Sequence, residues 1–221
     1  MSPKDTSVTA GATTRDEPRA LATSTAGFRE RLQTEVLAIA TRILSEEGLA
    51  ALQARRIAVE AGCSVGTLYN IFGDLDGLIL AANAETLILM DADLRASYAA
   101  TANASLPERL TALALTYMRF AFANRQRWSA IFEHRLPAEK DLPDDYDARR
   151  AELLALLSQA IGDDVRGHEI RMRAARALFA SVHGIITLSL ANKLSPFDAA
   201  DVEADIRFIV AAAARGLCEA A

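Results

Sequence analysis

An all-α fold follows from three observations. Alanine, leucine, arginine and glutamate, all strong helix formers, dominate the 221 residues, while glycine (11) and proline (6) are scarce. Apolar residues recur at spacings of three and four along most of the chain, the period of one helix face. The few glycines and prolines gather in short clusters that divide those periodic stretches. The usual quarter or so of strand therefore gives way to about nine helices, three short or medium ones first and a larger helical part after them.

Each element has its own signal. Residues 1–26 are polar and Ser/Thr/Ala-rich without an apolar core, so they read as a disordered tail and not as a secretory signal. Phe28, Leu32, Val36, Ile39 and Ile43 then mark a first amphipathic helix, which Glu46-Glu47-Gly48 ends. A short helix is expected at 54–61, a turn at Gly62-Cys63-Ser64, and a second short helix at 65–71 with Ser64 as its N-cap. Gly73-Asp74 breaks the chain before a long helix at 75–99, with Leu78, Ile79, Ala82, Leu89 and Met90 on its apolar side. Beyond the break at 103–107, further helices are expected at 107–123, 125–134, 144–161, 166–192 and 198–218. The loop Leu136–Asp145, with two prolines and four acids, is the clearest boundary among them.

Composition excludes several classes of protein. Hydrophobic residues at 51% and charged residues at 24% describe a folded globular chain. No apolar run approaches 18 residues, so no membrane span is expected and the compartment is read as cytoplasmic. Cys63 and Cys218 are too few for a disulfide framework or a zinc site. His134, His168 and His183 lack ligand spacing, so neither a metal nor a cofactor is expected. There is no Gly-rich phosphate loop, no cluster of His, Cys and carboxylates, and no nucleophile–base signature, which argues against an enzyme.

The chemistry gathers in IAVEAGCSVGTLYNIF, residues 57–72. Two short helices joined by a small-residue turn have helix-turn-helix spacing, though a plain helical corner shares it. Ala58 and Ala61 let the helices approach, Gly62 can take the positive φ of the turn, and Ile57, Val65 and Leu68 can fill the space between them. Phe72 can anchor the far end to the first helix. The outward face of the second helix would then show Gly66, Thr67, Tyr69 and Asn70. Gly66 would permit close approach to a DNA backbone, Thr67 and Asn70 could reach bases or phosphates, and the Tyr69 hydroxyl could donate to a phosphate. The amides after Ser64 add an anion site.

The run Ile57-Ala58, Ala61 to Ser64, Gly66 to Tyr69, Phe72 and Leu78 closely resembles the N-terminal domain of the TetR family of bacterial transcription regulators, over about residues 28–80. More weakly, RWSAIFEHRLP (127–137) and VHGIITLSLANKL (182–194) resemble a C-terminal domain of one branch of that family. The resemblance implies a helix-turn-helix domain at 27–74 and a ligand-binding and dimerisation domain at 75–221. It implies a homodimer that binds a double-stranded DNA operator and, acting as a repressor, releases it when a small apolar or aromatic effector binds. The alternative is a relative that binds a small molecule but has weak or no specific DNA binding.

Two positions depart from the family pattern. Members commonly carry a hydroxyl residue at the start of the second helix and a lysine at the start of the fourth, where this chain has Gln53 and Leu75. Over residues 28–72 five arginines balance five glutamates, and the whole chain carries a formal net charge of −5. General attraction to phosphate is therefore weak, and local arginines, Arg55 and Arg31 foremost, must supply the contacts. Arg56 is a further candidate, as are Lys4, Arg15 and Arg19 in the tail.

Most aromatic residues lie in the C-terminal part. Tyr117, Phe120, Trp128 and Phe132 fall on two successive helices, and Phe179 and His183 share one face of a later one. These six are the expected effector contacts, with ordinary core as the competing reading. Gly184, beside His183, could admit a neighbouring helix or the ligand. The last two helices carry more apolar residues, among them Ile185, Leu188, Phe208 and Ile209, than one packed face can hide. They are the expected dimer interface.

Overall fold

The computed structural model of the chain describes residues 17–162, 165, 167–193 and 198–219. Among them are nine α-helices and no strand: α1 Glu17–Glu47, α2 Ala54–Glu60, α3 Val65–Phe72, α4 Leu75–Ala100, α5 Leu106–Ala123, α6 Arg125–Glu133, α7 Asp144–Ile161, α8 His168–Leu190 and α9 Ala199–Glu219. A single 3-10 turn, Leu49–Ala51, links α1 to α2. Helix α1 starts within the segment expected to be a tail. Pro18 stands in its first turn, where proline is tolerated, and the helix formers Ala20, Leu21 and Ala22 carry it forward. Residues 1–16 of that expected tail, with Lys4 and Arg15, lie outside the described residues.

Two apolar clusters hold the helices together. The first joins Val36, Ala40, Ile43 and Leu44 of α1 to Ile57 and Ala58 of α2, Leu68 of α3, Leu78, Ile79 and Ala82 of α4, and Ala130 of α6. The second joins Leu87 and Met90 of α4 to Leu110, Tyr117 and Phe120 of α5, Trp128 of α6, Ile161 of α7, Val182 and Ile186 of α8, and Ile206 and Val210 of α9. Helices α4 and α6 thus belong to both clusters.

That double duty explains two departures from the simple periodic reading. Leu89 is exposed, while Leu80, Asn83, Thr86 and Leu87 are buried, because α4 is covered by α1 and α6 at one end and by α5 and α7 at the other. Phe28 is also exposed, since it precedes the stretch of α1 whose side chains enter the first cluster.

A polar seam runs between the two shared helices. Asn83 Nδ2 donates to the Ala130 carbonyl at 3.2 Å, and Arg127 Nε donates to Thr86 Oγ1 at 3.0 Å. Asn83 and Thr86 are fully buried, so these bonds satisfy groups that would otherwise be costly to bury.

Candidate functional site

The turn between α2 and α3 is built from backbone bonds. Ala61 N donates to Ile57 O at 2.9 Å, and Cys63 N reaches back to Ala58 O at 2.9 Å. Gly62 between them has φ +63, a conformation glycine adopts without strain. Ser64 then caps α3. Its Oγ accepts from Thr67 N at 3.0 Å and lies 2.8 Å from Thr67 Oγ1. Leu68 is fully buried, while Val65, Ile71 and Phe72 pack half-buried against the first cluster. The same rotation leaves Gly66, Tyr69 and Asn70 exposed, while Thr67, expected on that outward face, is half-buried. A Cβ at Gly66 would meet only Ser64 Oγ, at 3.7 Å, so nothing within the chain demands glycine there.

Long-range pairing divides the arginines of this unit. Arg42 bonds Glu46 at 3.0 Å and also Glu60. Arg56 holds both carboxylate oxygens of Glu47, at 2.8 and 2.5 Å, and keeps that carboxyl below its usual pKa. Arg29 Nη2 donates to the Asn70 carbonyl at 2.9 Å, placing a cation at the C-terminal end of α3, where the helix dipole favours it. Arg31 and Arg55 are exposed and have no partner among the described residues.

The start of α4 is tied in two directions. Asp74 caps it by accepting from Gly77 N at 2.9 Å, and a Cβ at Gly77 would stand 2.0 Å from the Phe72 carbonyl oxygen. From the loop after α6, Lys140 Nζ bonds Asp74 at 2.5 Å and Asp76 at 2.7 Å, which lowers the Asp74 pKa and raises that of the lysine. His134 Nε2 lies 3.6 Å from Asp76, although burial dominates and pushes the imidazole pKa down. Leu75, where a lysine is usual, therefore sits between two acids already engaged by a lysine 65 residues further on.

In the C-terminal part, four of the six expected effector residues converge on a fifth, the imidazole of His183. His183 lies 4.2 Å from Phe132, 5.1 Å from Trp128, 5.4 Å from Phe179 and 6.4 Å from Tyr117, ring centroid to centroid. Its Nδ1 is 2.9 Å from the Tyr117 hydroxyl and its Nε2 3.2 Å from Thr187 Oγ1. Burial pushes the His183 pKa down and the Tyr117 pKa up, so both groups are neutral at pH 7. Phe120 stands apart, buried in the second cluster and outside this set of rings.

Beside the rings lies a cavity of about 260 Å³. Tyr117, Phe132 and Phe179 line it, but Phe120, Trp128 and His183 do not. Phe120 and Trp128 are buried in the second cluster, and His183 is a half-buried, hydrogen-bonded hub beside the cavity. Leucines of α4, α5 and α7, including Leu94, Leu110, Leu153 and Leu157, form the largest share of the lining, and Arg150 and Arg176 are its charged members among the described residues. The leucine run of α7 was visible in the sequence, but a run of leucines marks burial and does not say which cavity it lines. Gly184 makes no close approach: a Cβ there would meet nothing within 4 Å. A second cavity of about 340 Å³ adjoins the first through Ile131, Phe132 and Arg150, and reaches His134 and Lys140. No helix among the described residues is long and apolar enough to cross a membrane.

Comparison with known proteins agrees at both ends of the chain. The family model described as bacterial regulatory proteins, tetR family, matches residues 36–82. The model described as tetracyclin repressor-like, C-terminal domain, matches residues 110–213. No curated protein matches the sequence significantly. Among solved structures, a protein of unknown function from Rhodococcus sp. RHA1 is 24% identical with a TM-score of 0.66, over 85% of this chain and 95% of that one. The multidrug binding protein EbrR, complexed with imidazole, is 22% identical with a TM-score of 0.58, over 82% and 93%. A protein from Mesorhizobium loti assigned to the TetR-family transcriptional regulators is 18% identical with a TM-score of 0.59, over 85% and 97%. At these identities the structures speak for the fold, and the two family matches speak for the kind of protein. With a capped helix-turn-helix at one end and the matching helical domain at the other, the chain belongs to the TetR family of ligand-responsive, DNA-binding transcriptional regulators, which are not enzymes.

Proposed function

We propose that this regulator is a dimeric repressor whose operator is read by α3 and released when a small apolar or aromatic molecule fills the cavity behind α4. The observation that carries this reading is the sharing of α4 and α6 between the two apolar clusters. One face of α6 places Ala130 in the DNA-reading unit, and the other places Trp128 and Phe132 among the rings beside the cavity. A molecule that spreads the cavity walls therefore strains the seat of α2 and α3 directly.

In this reading, residues 27–74 are the DNA-binding part and 75–221 the effector and dimer part. Gly66, Tyr69 and Asn70 face the groove. Thr67, whose hydroxyl is engaged by Ser64, offers its methyl group. Arg55 and Arg31, the arginines of this unit without a partner among the described residues, supply phosphate contacts. Tyr117, Phe132 and Phe179 meet the effector, with His183 holding the Tyr117 hydroxyl in place. The dimer forms through α8 and α9, where Leu188 is 40% and Phe208 73% exposed in the single chain. That a protein of the same fold, EbrR, is a multidrug binding protein accords with a small-molecule role for the C-terminal helices.

The pairing of Arg42 and Arg56 to glutamates, together with Gln53, favours one alternative: a ligand-binding relative with little operator affinity. Gel shifts of the purified dimer on DNA flanking its gene separate the two. A sequence-specific complex at low salt is the expected result. A folded dimer that gives none would establish the alternative.

A further inference from the structure

The cavity has a chemical polarity that an apolar or aromatic effector alone does not explain. Its walls are leucines and other aliphatic side chains, a methionine, two phenylalanines and a tyrosine, and among the described residues no acid lines it. Its two charged members, Arg150 on α7 and Arg176 on α8, are both cationic and both exposed at its edge. Arg176 has no partner among the described residues, and Arg150 meets only Asp147, at 3.6 Å, with both side chains largely in solvent. Such a pairing is loose and readily given up to a better anion. The adjoining cavity shares Arg150 and reaches Lys140, whose charge Asp74 and Asp76 already engage. In a chain whose formal net charge is −5, two arginines without a close acidic partner among the described residues, on one apolar cavity, are a local exception.

From this arrangement we infer that the effector is an apolar monocarboxylate, its hydrocarbon body among the leucines of α4, α5 and α7 and its carboxylate on Arg150 and Arg176. The inference rests on the reading of this cavity as the effector site and specifies what that site selects. An arginine holds a carboxylate through two parallel N–H donors, a geometry that a neutral head cannot match and an ammonium opposes. Volume bounds the hydrocarbon. A cavity of about 150 Å³ accepts one benzene ring, so about 260 Å³ suits a fused pair of rings or a medium-length acyl chain. Both arginines are exposed, so the carboxylate keeps part of its hydration while the body is desolvated.

The test is calorimetric titration of the full-length protein with 2-naphthoate and decanoate, with methyl 2-naphthoate and 2-naphthylmethylammonium as matched neutral and cationic probes. The carboxylates should bind at least about tenfold more tightly than the ester, with the ammonium weakest. In the Arg150→Gln/Arg176→Gln double variant the ratio of carboxylate to ester affinity should fall to within about twofold, whereas Arg176→Lys should keep a clear preference for the anion. An ester or ammonium that binds as well as the carboxylate would overturn the anion inference and leave the cavity as the effector site. Binding of none of the four probes would overturn both readings. A preference that survives the double variant would place the carboxylate elsewhere and so overturn the assignment to these arginines.

Discussion

At the scale of single residues, partnership sorts groups that composition cannot. Arg55 and Arg56 are neighbours on α2, yet among the described residues one has no partner and the other is gripped by Glu47 through two hydrogen bonds. On that difference, Arg55→Ala should weaken operator binding and flatten the dependence of log K on log salt by about 0.9, the release from one phosphate. Arg56→Ala should change the slope less; gel shifts across a salt series measure both. His183 makes a second prediction at this scale. Burial depresses its pKa from 6.5, so the folded state keeps it neutral while the unfolded chain can protonate it. Stability should therefore be level above about pH 6.5 and fall as the pH drops through that value. Carboxylates such as Asp74 and Glu47, also depressed, lose their contribution only further down, near and below their ordinary values of 3.8 and 4.5. Melting temperatures between pH 8 and 5 should show the histidine step, and His183→Gln should reduce it.

At the scale of elements, the α3–α4 junction is the tightest joint. Helix propensity would favour alanine over glycine by about 1 kcal/mol inside α4. At Gly77, however, a Cβ would press against the Phe72 carbonyl at 2.0 Å, and backbone must move to admit it. Gly77→Ala should thus destabilise the protein by about 1–3 kcal/mol, the opposite sign to propensity, as urea unfolding would report. Little in the sequence marks this glycine, since Gly73-Asp74 already accounts for the break. The Ser64 cap and the Gly62 turn, by contrast, were legible, because each is an interaction within four residues. Lys140 belongs to the other kind. Its bonds to Asp74 and Asp76 fasten the loop before α7 onto the first turn of α4, and no local pattern announces a contact across so long a separation.

At the scale of the molecule, α4 and α6 make the two parts of the chain one mechanical unit, while α8 and α9 leave apolar surface uncovered. Phe208→Glu should convert the proposed dimer to a monomer in light-scattering measurements. It should also cost most of the operator affinity, since two linked reading heads bind far better than one. A dimer that persists unchanged would move the interface away from α9.

Much of this protein was written locally. Helix propensity, apolar spacing, caps and turn glycines act over a turn or two of chain, so the all-α fold, the helix-turn-helix and the outward face of α3 followed from residue order alone. Packing between remote helices decided the rest. It chose which arginines are paired, set His183 beside the cavity and Phe120 in the core, and brought Arg150 and Arg176 to one cavity. Those outcomes depend on where distant side chains meet, and spacing along the chain carries no record of that.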